Sequence, residues 1–226
     1  MPWLKRLLFC VSFAATSCAF SNPDNPFPAL WKAHPFYFGP LFGYGSTDWS
    51  MLVVNCGNEN DPFCDPSLLT VSAPIAAGDD GWVWGATVGY EVKPFWAVET
   101  SFMRFPNTVV TFDESSLYGD RYDLSSFRST TWALMAVAKF MTQISNTGFR
   151  GFANAGIDFT FRSDVIRNAM RVNPTFGVGV NYAFEENIMF EMGFQYVPGY
   201  GEAIEMPAIE YMPFLYAITA KLMYRY

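Results

Sequence analysis

Few side chains in the sequence have the types and spacing that catalysis requires. The 226 residues include one histidine, His34, so a serine nucleophile could find a histidine base only near that position. Two acidic pairs, Asp79 with Asp80 and Asp113 with Glu114, could form a two-carboxylate site. Both pairs lie in turn-like loop sequence, where acidic side chains are usually solvated. We therefore expect no catalytic residue, no cofactor and no enzymatic activity.

The cysteines suggest a disulfide more than a metal site. Cys10 and Cys18 lie in an N-terminal segment that we expect to be removed, which leaves Cys56 and Cys64. The sequence between them is polar and rich in turn residues, as expected of a local disulfide in an exported chain. Such a short ring stabilises a fold by about 2–3 kcal/mol. A zinc site is the alternative, although no histidine lies near either cysteine.

The N-terminus has the three parts of a signal peptide. Lys5 and Arg6 precede an apolar stretch at 7–15, and small residues at 17–19 form a cleavage site. We expect cleavage after Ala19 and export by the Sec pathway; an uncleaved anchor and lipidation of Cys18 are the alternatives. Residues 20–35 are rich in Pro and Asn and predict an extended lead-in.

Composition excludes two classes of protein. Removing residues 1–19 removes two basic residues and no acidic one, so the formal charge falls from −7 to −9; this argues against a nucleic-acid partner. Hydrophobic residues make up 51% of the chain and aromatic residues 19%. No apolar run reaches the ~18 residues of a membrane-spanning helix.

Candidate binding residues require strands to position them, and eight segments have the length of membrane-spanning β-strands. The last one shows the pattern best. Every second residue from Phe214 to Tyr226 is apolar or aromatic, whereas Lys221 and Arg225 lie on the other face. The eight segments are 36–47, 82–92, 96–105, 131–141, 149–161, 174–184, 188–198 and 213–226.

A soluble β-sandwich also alternates, but two observations favour a closed barrel. The face with large apolar groups lacks charge, while the opposite face carries Gly, Ala, Asn, Thr and sparse ions, as in a narrow lumen. The connections alternate between long (48–81, 106–130, 162–173, 199–212) and shorter ones. We therefore predict an all-β fold over 36–226, an eight-stranded antiparallel transmembrane β-barrel with four long external loops.

Seven charged residues would point into this lumen, near the end at which the barrel begins and ends. Three acids against four bases in so narrow a space predict an ion-pair network. A gated small conductance is the alternative. The seven residues are Glu91, Glu99, Lys139, Arg150, Glu191, Lys221 and Arg225.

The chain resembles the OmpA-like family of small eight-stranded outer-membrane barrels. Segments 44–49, 84–91 and 174–182 resemble a poorly characterised branch of that family. The resemblance implies periplasmic termini in the outer membrane of a Gram-negative bacterium. It also implies that the aromatic C-terminal strand, with Tyr224 and Tyr226, is the signal read by the barrel-assembly machinery. The peptidoglycan-binding half of full-length OmpA proteins is not expected here.

The long loops are the remaining candidates for binding. Arg162, Arg167 and Arg171 suit the phosphates of lipopolysaccharide. Aromatic residues in the second loop predict either a hairpin that extends two strands or an adhesive surface; they are Phe112, Tyr118, Tyr122 and Phe127. We expect a structural role or one in surface interaction, with a host or environmental ligand at the loops. A narrow porin or an OmpW-like conduit for small hydrophobic molecules is the alternative.

Overall fold

The computed structural model describes residues 34–49, 76–78, 80–112, 125–144, 147–165, 168–184, 186–199 and 211–226. Its secondary structure in these ranges is ten β-strands. They are β1 (Phe36–Asp48), β2 (Ala76–Gly78), β3 (Asp80–Lys93), β4 (Trp96–Arg104), β5 (Thr108–Thr111), β6 (Ser126–Gln143), β7 (Phe149–Ser163), β8 (Asn168–Ala183), β9 (Ile188–Val197) and β10 (Phe214–Arg225). Within the described residues, no helix has the length and apolar character to cross a membrane.

Eight of the strands form a closed antiparallel barrel. Pairing runs in the order β1–β3–β4–β6–β7–β8–β9–β10, and β10 pairs with β1 to close the ring. Each predicted segment corresponds to one barrel strand, so the predicted fold class is confirmed. We call the end at which β1 begins and β10 ends the terminal end, and the opposite end the loop end.

Two strands begin at least five residues before the segments that the sequence predicted. β6 begins at Ser126 rather than at residue 131, because its first residues pair with β5, from Thr108 opposite Ser129 to Thr111 opposite Ser126. β8 begins at Asn168 rather than at residue 174, because it stays paired with β7 up to Ser163. Above the barrel, β2 joins β5 and β6 in a three-stranded extension.

Of the two alternatives for the second loop, the structure therefore shows the hairpin that extends two strands. The backbone amide of Phe112 donates to the carbonyl of Ser125 at 2.9 Å, and the rings of Phe112 and Phe127 stack with their centroids 5.8 Å apart. Both rings are buried, which removes them from any adhesive surface. Tyr118 and Tyr122 lie outside the described residues.

Side chains alternate between the lumen and the outer surface, as the pleat of a strand requires. The outward positions of the last strand hold Tyr216, Ile218, Leu222 and Tyr224, all exposed, whereas Lys221 and Arg225 are buried inside. Leu41 and Met103 disturb the alternation of polarity in β1 and β4, and both are buried in the lumen. Both belong to a level of the lumen that is filled by apolar side chains.

Inward-facing glycines allow the sheet to curve into so narrow a ring. A Cβ added at Gly85 would lie 1.9 Å from the carbonyl oxygen of Phe102 on the neighbouring strand, and one at Gly39 would lie 2.0 Å from that of Leu222. No side chain fits at these distances, so the close approach of adjacent backbones requires glycine at both positions.

Candidate functional site

The candidate site is the lumen, and four of the seven predicted charges form a closed square in it. Lys139 from β6 and Lys221 from β10 each contact two acids, Glu99 from β4 and Glu191 from β9. The Nζ of Lys221 lies 2.5 Å from Glu99 Oε1 and 2.9 Å from Glu191 Oε1. The Nζ of Lys139 lies 2.9 Å from Glu191 Oε2 and also bonds Glu99 Oε2. The square has no net charge.

The other three charges form a second group nearer the terminal end. The two oxygens of Glu91 are divided between two guanidinium groups, with Arg150 Nη2 at 2.8 Å and Arg225 Nη2 at 2.8 Å. Other acceptors serve the guanidinium nitrogens as well. Arg150 Nε donates to Asn181 Oδ1 at 2.9 Å, and Arg225 Nε donates to the carbonyl of His34 at 3.2 Å.

Both groups are sealed from water. All seven charged residues are at most 7% exposed. Removing an ion from water costs several kcal/mol, which is recovered only when its partners are close and well oriented. The network therefore closes the lumen at the terminal end, and moving any one ion would leave its buried partners with less compensating charge.

Sequence reasoning missed several uncharged members of this ionic layer. Tyr37 donates its hydroxyl to Glu99 at 2.9 Å, and the ring of Phe152 lies 4.6 Å from the Nζ of Lys139. The thioether of Met189 accepts from both Arg150 and Arg225, at 3.5 and 3.6 Å. The alternation of β1, β7 and β9 places these side chains inward, but only the closed barrel shows which charge each one meets.

A layer of apolar side chains fills the lumen above the ions. Between the two layers, a cavity of about 20 Å³ remains, bordered by Glu99, Ser101, Gln195 and Lys221 together with apolar neighbours. That volume holds about one water molecule. The apolar layer consists of Leu41, Val83, Met103, Phe105, Ala133, Met135, Val137, Val197, Leu215 and Ala217.

A third layer closes the loop end, and it corrects the prediction for Arg162. This side chain is 1% exposed, so it is not available to a lipid phosphate. Its Nε lies 2.5 Å from Asp164 Oδ2, its Nη1 donates to the carbonyl of Tyr211 at 2.7 Å, and its guanidinium lies 4.8 Å from the ring centre of Trp49. Because β7 continues to Ser163, Arg162 keeps the inward register of Asp158 rather than lying in a loop.

The remaining predicted residues have separate locations. Arg171 is half-buried opposite Thr160 in the register of β7 and β8, and Arg167 lies outside the described residues. So do Cys56 and Cys64, the acidic residues Asp79, Asp113 and Glu114, and residues 1–33. Asp80 is exposed and accepts from the Tyr44 hydroxyl at 2.5 Å. Tyr224 and Tyr226 are exposed on the outer face of the terminal end.

Comparisons with known proteins find solved structures that share this architecture. No family model matches the chain, and no curated protein matches it in sequence. The crystal structure of Neisserial surface protein A (NspA) superimposes with a TM-score of 0.51 at 12% identity, over 84% of this chain and 97% of that one. OprG from Pseudomonas aeruginosa superimposes with a TM-score of 0.50 at 13% identity, over 85% of this chain and 96% of that one.

The chain has the fold of a small outer-membrane β-barrel. The family resemblance expected from the sequence is confirmed at the level of this fold. The match extends over nearly the whole length of both solved barrels. With identities of 12 and 13%, what this outer-membrane-type barrel shares with them is its architecture, and function has to be argued from its own residues.

Proposed function

We propose that the chain is an integral outer-membrane protein whose sealed barrel supports the envelope and holds its loops at the cell surface. The observation that carries the proposal is a lumen closed by three successive layers: paired ions, apolar side chains, and the cluster of Trp49, Arg162 and Tyr211. A solute would have to displace all three layers. A rigid, filled barrel suits a structural role.

The outer surface supports a location in lipid. Large apolar side chains that would be buried in a water-soluble protein are exposed around the barrel, among them Phe42 at 61% and Ile218 at 60%. Aromatic rings lie toward both ends: Trp82 and Trp84 at the loop end, Tyr90 and Phe140 at the terminal end. Such rings favour the two membrane–water interfaces.

The alternative function is a narrow porin or an OmpW-like conduit for small hydrophobic molecules. Conduction needs a continuous water-filled path, whereas the cavity between the ionic and apolar layers measures about 20 Å³. A hydrophobic solute would also have to pass the buried charges at the terminal end. The described lumen therefore favours the structural role over transport.

Planar-bilayer recording tests this choice. We expect no unitary current steps from the wild type, from Glu191→Ala in the ionic layer, or from the control Glu186→Ala at an exposed site. Glu191→Ala stays closed because the apolar layer still fills the lumen above it. Steps in the wild type would establish a channel, and steps in Glu191→Ala alone would establish an ionic gate. Liposome swelling with neutral solutes covers uncharged cargo.

For the surface role, we propose that the external loops contact lipopolysaccharide or a surface ligand, with Arg167 and Arg171 as candidate phosphate partners. The test compares binding to lipopolysaccharide micelles by the wild type and by Arg171→Gln, Arg167→Gln and the double variant. A control, Arg104→Gln, removes one other guanidinium outside the lumen layers. Lower affinity in the double variant than in the control supports the contact, and equal affinities exclude it.

The same preparation separates lipid contact from ligand binding. Replacing residues 51–75 with a short Gly-Ser linker leaves all eight barrel strands intact. If the loops bind a host or environmental surface, the shortened variant loses binding to that surface but still folds and inserts. Unchanged binding after this replacement would place any ligand contact elsewhere on the molecule.

A further inference from the structure

Asp158 is a buried acid that the ion-pair layers do not use. It lies on the inward face of β7, is 0% exposed, and stands opposite Met135 of β6 and Asn173 of β8. Its Oδ2 accepts from the Thr160 hydroxyl, which in turn accepts from Asn173 Nδ2 at 3.4 Å. Its Oδ1 has no hydrogen-bond partner among the described residues.

Five of the described bases in this lumen bond acids other than Asp158. Toward the terminal end, Lys139 and Arg150 belong to the two ion-pair groups. Arg150 is eight residues from Asp158 along β7, about 26 Å at the usual strand rise. Toward the loop end, Arg162 bonds Asp164, and Arg171 of β8 stands opposite Thr160. Among the described residues, no guanidinium or ammonium group bonds the Asp158 carboxylate, and its hydrogen-bond donor is Thr160.

An ionised carboxylate in this position would be very unfavourable, because the side chain is fully buried and one oxygen would keep its charge without a donor from the described residues. A proton or a metal cation can neutralise such a group. A cation such as Ca²⁺ or Mg²⁺ needs six or more oxygen ligands. In the described part of the chain, no three His, Cys, Asp or Glu side chains lie close enough together to hold a metal ion. A proton needs no further ligand.

We propose that Asp158 is a proton-binding site of the barrel, with its carboxyl held neutral inside the lumen near physiological pH. The proton removes the charge from the buried oxygen and leaves the Thr160 hydrogen bond in place. At pH values above the ordinary ionisation range of aspartate, around pH 3.9, folding of the chain then takes up one proton at Asp158. This couples the stability of the barrel to pH.

The sign of the coupling follows from proton uptake. Because the folded chain binds one more proton than the unfolded chain, the folding equilibrium constant falls by up to about tenfold for each unit of rising pH. The fall begins near the pH at which unfolded aspartate ionises and ends where folded Asp158 itself ionises. Asp158→Asn keeps the shape and removes the proton, so its folding constant should lack this component.

The test combines direct detection with a pH series on the full chain in detergent or lipid vesicles. Infrared spectra between about pH 5 and 8 should show a protonated carboxyl band in the wild type. Asp158→Asn should lose that band, whereas the exposed control Asp80→Asn should keep it. Urea unfolding over the same range should give the wild type and Asp80→Asn a steeper loss of stability with pH than Asp158→Asn.

Two results would overturn the proposal. One is a wild type without a protonated carboxyl band across that range and with the pH slope of Asp158→Asn. The other is an ionised Asp158 together with wild-type stability that rises with added Na⁺, K⁺ or Ca²⁺ and a smaller rise in Asp158→Asn, which would identify a cation site. If Asp158→Asn fails to fold, ¹³C labelling of aspartate in the wild type still reports the protonation state.

Discussion

At the scale of single residues, Glu99 shows how the lumen is held. It accepts bonds from Lys139, Lys221 and the Tyr37 hydroxyl, so one carboxylate joins three strands that are distant in sequence. A buried ion pair adds modest net stability compared with an apolar pair, but removing one partner is costly because the other charge stays buried. The ionic layer thus fixes one arrangement of the strands around the lumen.

We expect Glu99→Gln to lower the free energy of unfolding by about 3–5 kcal/mol. The substitution keeps the shape but leaves Lys139 and Lys221 to share Glu191 alone. Urea titration of the protein refolded into lipid vesicles measures the change. Glu186→Gln, at an exposed position, is the control and should remain close to wild type. Equal midpoints for the two variants would mean that the square contributes nothing to stability.

At the scale of strands, the inward glycines and the last strand determine closure. Gly85 brings β3 against the carbonyl of Phe102 on β4. β10 pairs with β9 on one side and with β1 on the other, and the Tyr226 amide donates to the Phe36 carbonyl at 2.8 Å. The barrel can close only after β10 is in register, because both of its edges are used.

Gly85→Ala should destabilise the barrel by about 1–3 kcal/mol, as over-packing does. The added methyl group would meet a backbone oxygen, which cannot rotate away. Gly78→Ala in β2 is the matched control, since an added Cβ there has no heavy atom within 4 Å; it should change stability by less than about 0.5 kcal/mol. Unfolding midpoints in urea compare the two, and a stable Gly85→Ala would show that the strands can separate at this point.

The role of Tyr226 as an assembly signal remains a prediction. Tyr226→Ala should reduce the amount of folded protein in the outer membrane of cells, because the assembly machinery would lose its terminal aromatic. Refolding of the purified chain into detergent should stay near the wild-type rate. Tyr216→Ala, which changes an outward aromatic near the other end of β10, is the control. Equal losses in cells for both variants would point to general destabilisation rather than recognition.

At the scale of the whole molecule, an apolar outside surrounds a lumen packed with ions and apolar side chains. In water, the hydrophobic effect would disfavour such an exposed apolar surface, whereas in a bilayer the surface contacts acyl chains. Closure also satisfies the backbone groups of all eight strands, which leaves no open sheet edge within the barrel wall.

A closed barrel of this kind should resist dodecyl sulfate until it is heated. Unboiled protein should migrate differently from boiled protein on dodecyl sulfate gels. Only the boiled protein should bind dodecyl sulfate as an unfolded chain does. Extraction should require detergent. Glu99→Gln should shift to the unfolded position at a lower temperature than Glu186→Gln. Identical migration with and without boiling, together with solubility in plain buffer, would contradict a membrane barrel.

The sequence alone determined the eight barrel strands, the inner and outer faces of each predicted segment, and the seven charges of the ionic layer. These follow from a period of two, which is a local property of the chain. Tertiary structure decided which charges pair, since Glu91 meets Arg150 and Arg225 while Glu99 meets Lys139 and Lys221. It also turned Arg162 inward and, within the part of the chain that the structure describes, brought no basic group into a bond with Asp158. Pairing depends on the stagger and closure of strands distant in sequence, and alternation within one strand carries no information about either.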